Sequence, residues 1–199
     1  MRGVRAYHVI FSAYGFWLPN DPRGSWADFV RSWELFLAGG PATKVTTRQS
    51  LARVPHDRAT RLRVKEALQY PPVVFTGRQA QSIGHGFKQM VQKASYRVYA
   101  CSILPEHVHL VLGRHRYHAE TMVRLLKTEA TTELMNRGLH PLAAYPEADG
   151  TLPSPWGRKR WKVFLNDEED IVRAIDYVGK NPIKEGKPPQ RWSFVIPYV

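Results

Sequence analysis

Residues 104–113 (LPEHVHLVLG) carry two histidines, His107 and His109, on either side of one aliphatic residue, Val108. Side chains alternate between the two faces of a β-strand, so both imidazoles point to one face while Val108 points into the core. Two imidazoles on one face can hold one metal ion. The pair alone is equally typical of zinc enzymes, of copper sites and of ordinary buried histidines.

Two hydrolase classes that carry this pattern are disfavoured. A histidine-triad nucleotide hydrolase needs a third histidine two residues further on, where this chain has Val111. A barrel hydrolase of eight strands that opens with His-x-His needs a longer chain than 199 residues. The metal-binding hypothesis therefore depends on a second motif.

The second motif lies in residues 170–181, which have the apolar spacing of a helix. Its apolar stripe consists of Ile171, Ala174, Ile175 and Val178. Tyr177 lies roughly 200° around the helix from Ile175, at about 100° per residue, and so does not share the stripe. It shares its side with Arg173 and with Asn181, four residues on. A lone tyrosine there would be a surface residue at the edge of the core. This one has an amide that can ligate a metal and basic side chains as neighbours.

The charge of the chain favours a polyanionic partner. Lys and Arg number 29 against 17 Asp and Glu, which gives a net charge of +12, and nucleic acid is the commonest partner of such proteins. In residues 156–161 (WGRKRW), three basic residues between Trp156 and Trp161 combine phosphate contacts with stacking platforms. A solvated basic surface and a loop packed by its tryptophans are the plain alternatives.

Size and composition predict one globular domain. The apolar fraction of 43% suffices for a core, and no apolar run is long enough to span a membrane. The single cysteine, Cys101, lies in an apolar run and is expected to be a buried thiol in a reducing compartment. We therefore expect a cytoplasmic, nucleoid-associated protein.

The elements that must position the two motifs follow from periodicity and turn residues. We expect a strand over 7–14, a loop over 15–32 and irregular structure over 33–55. Helices are expected over 57–69 and 78–95, then a hairpin of strands 96–104 and 107–112, and a helix over 119–137. A short strand over 162–165 precedes a helix capped by Asn166 and ending at Asn181–Pro182, and the tail is extended. This order predicts an α+β domain whose antiparallel sheet has its helices on one face.

Together, the two motifs resemble those of a known family. LPEHVHLVLG, a long helix, WGRKRW and then DYVGKNPIKEG resemble, in this order, the HUH single-tyrosine transposases. Among these the chain is most similar to the REP-associated tyrosine transposases, whose late helix carries a DYI-x-x-NP pattern. The resemblance covers 96–186 well and the first strand loosely. It implies one HUH endonuclease domain over 1–199, a ferredoxin-like (RRM-like) antiparallel sheet with helices packed on it, and a group-specific insertion at about 15–75.

The resemblance also implies a chemistry. Mg²⁺ or Mn²⁺ would be held by His107 and His109, with Asn181 as the third ligand. Tyr177 would attack a backbone phosphate of single-stranded DNA, giving a 5′-phosphotyrosine and a free 3′-hydroxyl. The covalent bond conserves the energy of the cleaved one, so the strand can be rejoined. The expected function is a metal-dependent transposase that nicks and rejoins single-stranded, hairpin-containing DNA, as a monomer or homodimer.

DNA contacts are expected from a set of basic and aromatic residues outside the metal and tyrosine motifs. They are Arg124, Lys127, Trp156, Arg158, Lys159, Arg160, Trp161, Arg173, Lys180 and Lys184.

Two other functions stay open at this point. One is a DNA-hairpin-binding protein, inactive or domesticated, that keeps the basic surface without catalysis. The other is a metal-dependent phosphoesterase acting on small substrates, in which the tyrosine would be dispensable. The role of Tyr177 separates the three.

Overall fold

The computed structural model describes residues 3–46, 51 and 54–199, and the side chain of Lys159 lies outside this description. The chain divides into two compact units, Met1–Ala13 with Val74–Val199 and, separately, Tyr14–Val73. The elements are β1 (Ala6–Ala13), α1 (Trp33–Gly39), α2 (Arg58–Glu66), α3 (Gly77–Ala94), β2 (Val98–Ile103), β3 (His107–Gly113), α4 (Ala119–Asn136), β4 (Trp156–Leu165) and α5 (Glu168–Lys184).

The first unit contains one four-stranded sheet of order β2-β3-β1-β4. Every neighbouring pair is antiparallel. With α3 between β1 and β2, and α4 between β3 and β4, this is the βαββαβ arrangement of ferredoxin-like domains. The predicted α+β, ferredoxin-like fold class is confirmed.

Helices cover both faces of the sheet. On one face Phe11 of β1 meets Phe87 of α3, with ring centroids 6.2 Å apart. On the other face Ala6 and Val111 form a buried cluster with Ile171 of α5. The expectation that all helices lie on one face was therefore wrong. The reason is that α5 follows the last strand with an apolar stripe of its own, which it buries on the face that α3 and α4 leave open.

Helix α3 begins and packs as its sequence directs. Thr76 forms a capping box with Gln79, since the Thr76 hydroxyl accepts from the Gln79 N–H and the Gln79 side chain accepts from the Thr76 N–H. Gly86 lets α3 approach α4 closely, because a Cβ there would lie 2.6 Å from Ala130 Cα. A glycine that lowers helix propensity thus serves helix packing.

Three boundaries differ from the sequence expectation. The strand expected over 162–165 begins at Trp156, because the backbone of 156–165 pairs with β1 as one strand. WGRKRW is therefore part of this strand, and the alternative of a loop is excluded. A short helix, α1, occupies part of 33–55, where Ser32 accepts from Leu35 N–H as its cap. Helix α5 is capped by Asp167 rather than Asn166 and continues through Pro182, whose fixed φ is helical and whose ring removes only one backbone hydrogen bond.

The second unit, Tyr14–Val73, has a small core of its own around Leu18, Leu35 and Val64. Its 15–32 loop is built on a buried ion pair, in which Arg23 Nη2 lies 2.7 Å from Asp21 Oδ2. The unit coincides within two residues with the segment predicted as an insertion. That it is specific to a group of relatives stays a prediction. None of the described helices combines the length and apolarity that a membrane span needs.

Candidate active site

The two histidines of β3 lie on the face of the sheet that α5 covers. His107 is opposite Ser12 and His109 is opposite Ile10 on the neighbouring strand β1. Their ring centroids are 4.9 Å apart, and His109 is 4% exposed. The strand therefore presents both imidazoles to one place, as the alternation of side chains requires.

A third histidine, His8, lies beside them and was missed by sequence reasoning. Its Nε2 is 3.1 Å from His109 Nδ1, and the two rings stack with centroids 5.4 Å apart. The strand pattern of β1 is visible in the sequence, but its register against β3 is not. Only that register places His8 next to His109.

Helix α5 brings Tyr177 to the same three rings. The Tyr177 ring centroid lies 5.7 Å from the centroids of His8 and of His109, edge to face in both cases. Tyr177 is 40% exposed, and Lys184 Nζ lies 4.7 Å from its ring centroid. An exposed phenol thus stands at the mouth of a buried histidine cluster, 68 residues after His109 in the chain.

Asn181 lies deeper than predicted. It was expected on the side of Tyr177, away from the apolar stripe, yet it is 7% exposed and continues the buried row after Ile171, Ala174 and Val178. The spacing of 3, 4 and 3 residues explains this, because position 181 is as close to 178 as to 177 on a helix. Its Nδ2 has no hydrogen-bond partner in the described chain.

Glu185 adds a carboxylate to the site. Its Oε1 lies 3.5 Å from His107 Nε2. Burial, and then the nearby Glu106, raise the pKa of Glu185. This residue follows the last turn of α5, and sequence reasoning did not single it out.

Comparisons with known proteins point to one family. The chain is 27% identical over 104 residues to a candidate REP-associated tyrosine transposase of Haemophilus influenzae, which covers 50% of this chain and 57% of that protein. The chain therefore spans little more than half of the length of the curated relative it matches. The chain is therefore similar in sequence to a REP-associated tyrosine transposase. The resemblance predicted from the two motifs is confirmed. No family model matches the chain.

Two solved structures are also similar to it. One is a REP-associated tyrosine transposase bound to a REP hairpin, with a TM-score of 0.47, 13% identity and coverage of 94% of this chain and 73% of that one. The other is a candidate transposase from Deinococcus radiodurans, with a TM-score of 0.44, 12% identity and coverage of 93% and 92%.

Burial keeps the three imidazoles of this transposase relative neutral. It lowers the pKa of His8 and of His107 to about 4. Burial and then the neighbouring His107 and His8 lower the pKa of His109 to about 2. At neutral pH each ring therefore has one unprotonated nitrogen, as a metal ligand requires. One ring of the His8–His109 pair accepts the hydrogen bond between them, so His109 can bind a metal ion through Nε2 when its Nδ1–H donates to His8 Nε2.

The donor set fits a divalent ion. In the described chain no three side chains of the His, Cys, Asp and Glu types are arranged to hold one. A site with three protein ligands here therefore needs a donor of another type, which the Asn181 amide supplies. The buried Ser102 Oγ, opposite His109 on β2, also lacks a partner among the described residues. Two buried polar atoms left without partners indicate room for a bound group or water.

The predicted DNA-binding tryptophans have different environments. Trp156 is 5% exposed, donates from Nε1 to Thr131 Oγ1 and packs its ring against Phe11. A buried indole cannot stack on a base, so Trp156 is withdrawn from the DNA-binding set. Trp161 is half-buried. It pairs with Ile10 of β1, and Ile10 pairs with His109 of β3 across the other edge of the same strand. Trp161 is therefore on the same face of the sheet as His109, two strands away.

The basic residues of β4 and α4 are unequally available. Arg158 and Arg160 are exposed, and the Lys159 side chain lies outside the described structure. Lys127 is half-buried, donates from Nζ to Gly157 O and has its pKa lowered to about 8, by burial first and by Arg160 second. Through this hydrogen bond Lys127 links α4 to β4. Its contact with DNA stays a prediction.

The remaining basic residues of the set are exposed. On α5, Arg173 pairs with Asp170 and Lys180 pairs with Asp176. On α4, Arg124 lies near Tyr96: burial raises the pKa of that phenol, while Arg124 and Arg116 oppose the rise.

Proposed function

We propose that this protein is a metal-dependent transposase that nicks and rejoins single-stranded DNA carrying hairpins, through a covalent bond to Tyr177. The observation that carries the proposal is the contact of the Tyr177 ring with His8 and His109. An exposed phenol beside buried, neutral imidazoles combines a nucleophile with metal ligands. The net charge of +12 supports a polyanionic substrate.

The proposed ion is Mg²⁺ or Mn²⁺, with His107, His109 and Asn181 as ligands. Bound there, it would polarise the scissile phosphate and stabilise the charge that develops on it. A single amide and two imidazoles leave coordination positions open, which suits an ion that also contacts phosphate oxygens. Glu185, next to His107, is a further oxygen donor at the same place.

The proposed reaction is the attack of Tyr177 on a backbone phosphate of the DNA. The bond from the Tyr177 oxygen to phosphorus forms as the bond from phosphorus to the 3′-oxygen breaks. The phenol proton is released and the 3′-oxygen takes up a proton. The Lys184 ammonium, 4.7 Å from the ring centroid of Tyr177, makes a cation–π contact that helps to hold the ring. The reverse reaction rejoins the strand, because no phosphodiester energy is lost to water.

The decisive test is the covalent adduct. Tyr177→Phe is expected to abolish the adduct with single-stranded hairpin DNA on a denaturing gel while leaving hairpin affinity within about twofold. The matched control is Tyr145→Phe, at another exposed tyrosine, which should form the adduct as the wild type does.

An adduct that persists in Tyr177→Phe would assign the nucleophile elsewhere. Hairpin binding by a wild type that forms no adduct would favour the binding protein, and phosphate-ester hydrolysis that survives the substitution would favour the phosphoesterase.

A further inference from the structure

An open groove of about 620 Å³ lies at the far end of β3 from His107. Its walls are two segments, residues 93–97, which run from the last two residues of α3 to the residue before β2, and residues 114–116 after β3. Its charged lining residues are Lys93, Arg97, Arg114 and Arg116, and no carboxylate is among the described residues that line it. None of the DNA-binding residues predicted from the sequence lines this groove.

Strand register places the backbones of three arginines side by side at this end of the sheet. Gly113 donates its N–H to Arg97 O at 2.8 Å, and the next residue, Arg114, donates to Arg5 O at 3.0 Å. Arg97, Arg114 and Arg5 therefore stand at the ends of β2, β3 and β1, which are neighbours in the sheet. With about 4.8 Å between adjacent strands, the row spans roughly 10 Å. All three side chains are exposed.

The arginine charges have no counter-charge in the described structure. Lys93 is bound to Glu129 at 2.5 Å, but neither Arg97, Arg114 nor Arg116 forms an ion pair with a described carboxylate. Like charges that line one groove repel one another, and a bound anion reduces the repulsion. The planar fork of an arginine matches a phosphate group with two hydrogen bonds.

The position of the groove relates it to the proposed nucleophile. Five residues separate His109 from Arg114, which is roughly 17 Å along a strand at about 3.4 Å per residue. A nucleic acid duplex advances about 3.4 Å per base pair, so the same distance corresponds to about five base pairs. A row of cations fits a continuous polyanion better than one phosphate ion.

We propose that this groove binds the phosphate backbone of a DNA stem, about five base pairs from the phosphate that Tyr177 attacks. The proposal rests on the proposed function for the place of cleavage, but the binding itself requires no catalysis. The groove would fix the stem while β3 sets the distance to the reactive phosphate.

The test is the salt dependence of hairpin binding, measured with a fluorescent DNA hairpin whose stem has eight base pairs. In Arg97→Gln/Arg114→Gln/Arg116→Gln the slope of log K against log salt should become shallower by about 2–3, because each lost phosphate contact changes it by about 0.9. Affinity at physiological salt should fall at least tenfold. The matched control, Arg58→Gln/Arg78→Gln/Arg191→Gln, removes the same charge at other exposed arginines and should change the slope by less than 1. Arg→Lys substitutions at the three groove positions should restore it.

Hairpins with stems of different length show where along the DNA the groove makes its contact. On a hairpin with a two-base-pair stem next to the nick site, the groove variant and the wild type should bind equally. With eight base pairs they should differ. An unchanged slope, or an equal loss of affinity on both stems, would overturn the proposal. Circular dichroism of the variants reports folding separately. Failure of the adduct assay with intact groove binding would overturn the proposed catalysis alone, so the two proposals can fail independently.

Discussion

The polar side chains at the two ends of strand β3 differ in burial and in charge. At its beginning His107 and His109, with His8 beside them, are buried and neutral, since burial holds the pKa values of all three at about 4 or below. At its end Arg97 and Arg114 are exposed and charged. Roughly 17 Å separate His109 from Arg114 along the strand.

The difference shows how one strand can serve two purposes. A metal ligand needs a free lone pair, which burial provides by disfavouring the protonated ring. A contact to a nucleic acid backbone needs a permanent charge that water and salt can reach, because released counterions supply much of the affinity. The histidine end should therefore respond to pH and to divalent ions, and the arginine end to salt.

The largest separation of the two ends is expected from His109→Gln. Loss of a metal ligand should lower the rate of adduct formation by more than the roughly 10- to 100-fold typical of residues behind the ligands. Hairpin affinity, measured by fluorescence anisotropy, should stay within about twofold. His85→Gln, at an exposed histidine of α3, is the matched control. If hairpin affinity fell together with the adduct rate, the two ends would not be independent.

A smaller effect is expected from His8→Phe, which retains a flat ring but removes the hydrogen bond to His109 Nδ1. Residues that orient a metal-ligating histidine change metal affinity by about 10- to 100-fold. Calorimetric titration with Mn²⁺ should show a loss in the lower part of this range. His8→Gln can still form the hydrogen bond and should recover part of the affinity. Equal Mn²⁺ affinity in wild type and His8→Phe would limit His8 to packing.

The smallest effect is on stability against pH. The three histidines have folded pKa values below the unfolded value of 6.5, so the stability linked to their neutral form is complete above pH 6.5. It is lost as the pH falls from 6.5 towards 4, because the unfolded chain takes up protons first. Each histidine contributes at most about 1.4 kcal/mol per pH unit in this window. Urea unfolding of His109→Gln should show a shallower pH dependence than the wild type, and the groove variant an unchanged one.

Much of the fold followed from local patterns. The Thr76 cap and the apolar spacing placed α3 within one residue, and the His-bearing hairpin has the expected partners. Cys101 is buried as expected. Errors arose where pairing with another segment decides the structure. The last strand was expected to begin at residue 162 but begins at Trp156, because its first residues pair with β1.

The candidate site was predicted in part. The family resemblance carried by His107, His109, Tyr177 and Asn181 implied a metal ion and a nucleophile, and both roles stay predictions. The depth of Asn181 and the burial of Trp156 were not foreseen, because periodicity gives an angle around a helix or strand but not what packs against it. Both corrections concern packing partners that are distant in the chain.

The sequence by itself determined which side chains alternate on β3, the helical phase of Tyr177 and the basic character of the chain. Those features depend on covalent geometry over a few residues and on composition. Only the tertiary structure decided that His8 joins His109 and that Arg5, Arg97 and Arg114 form one row. These residues lie up to 109 positions apart, and their meeting depends on the register of β1, β2 and β3, which is fixed by burial of the sheet faces as a whole.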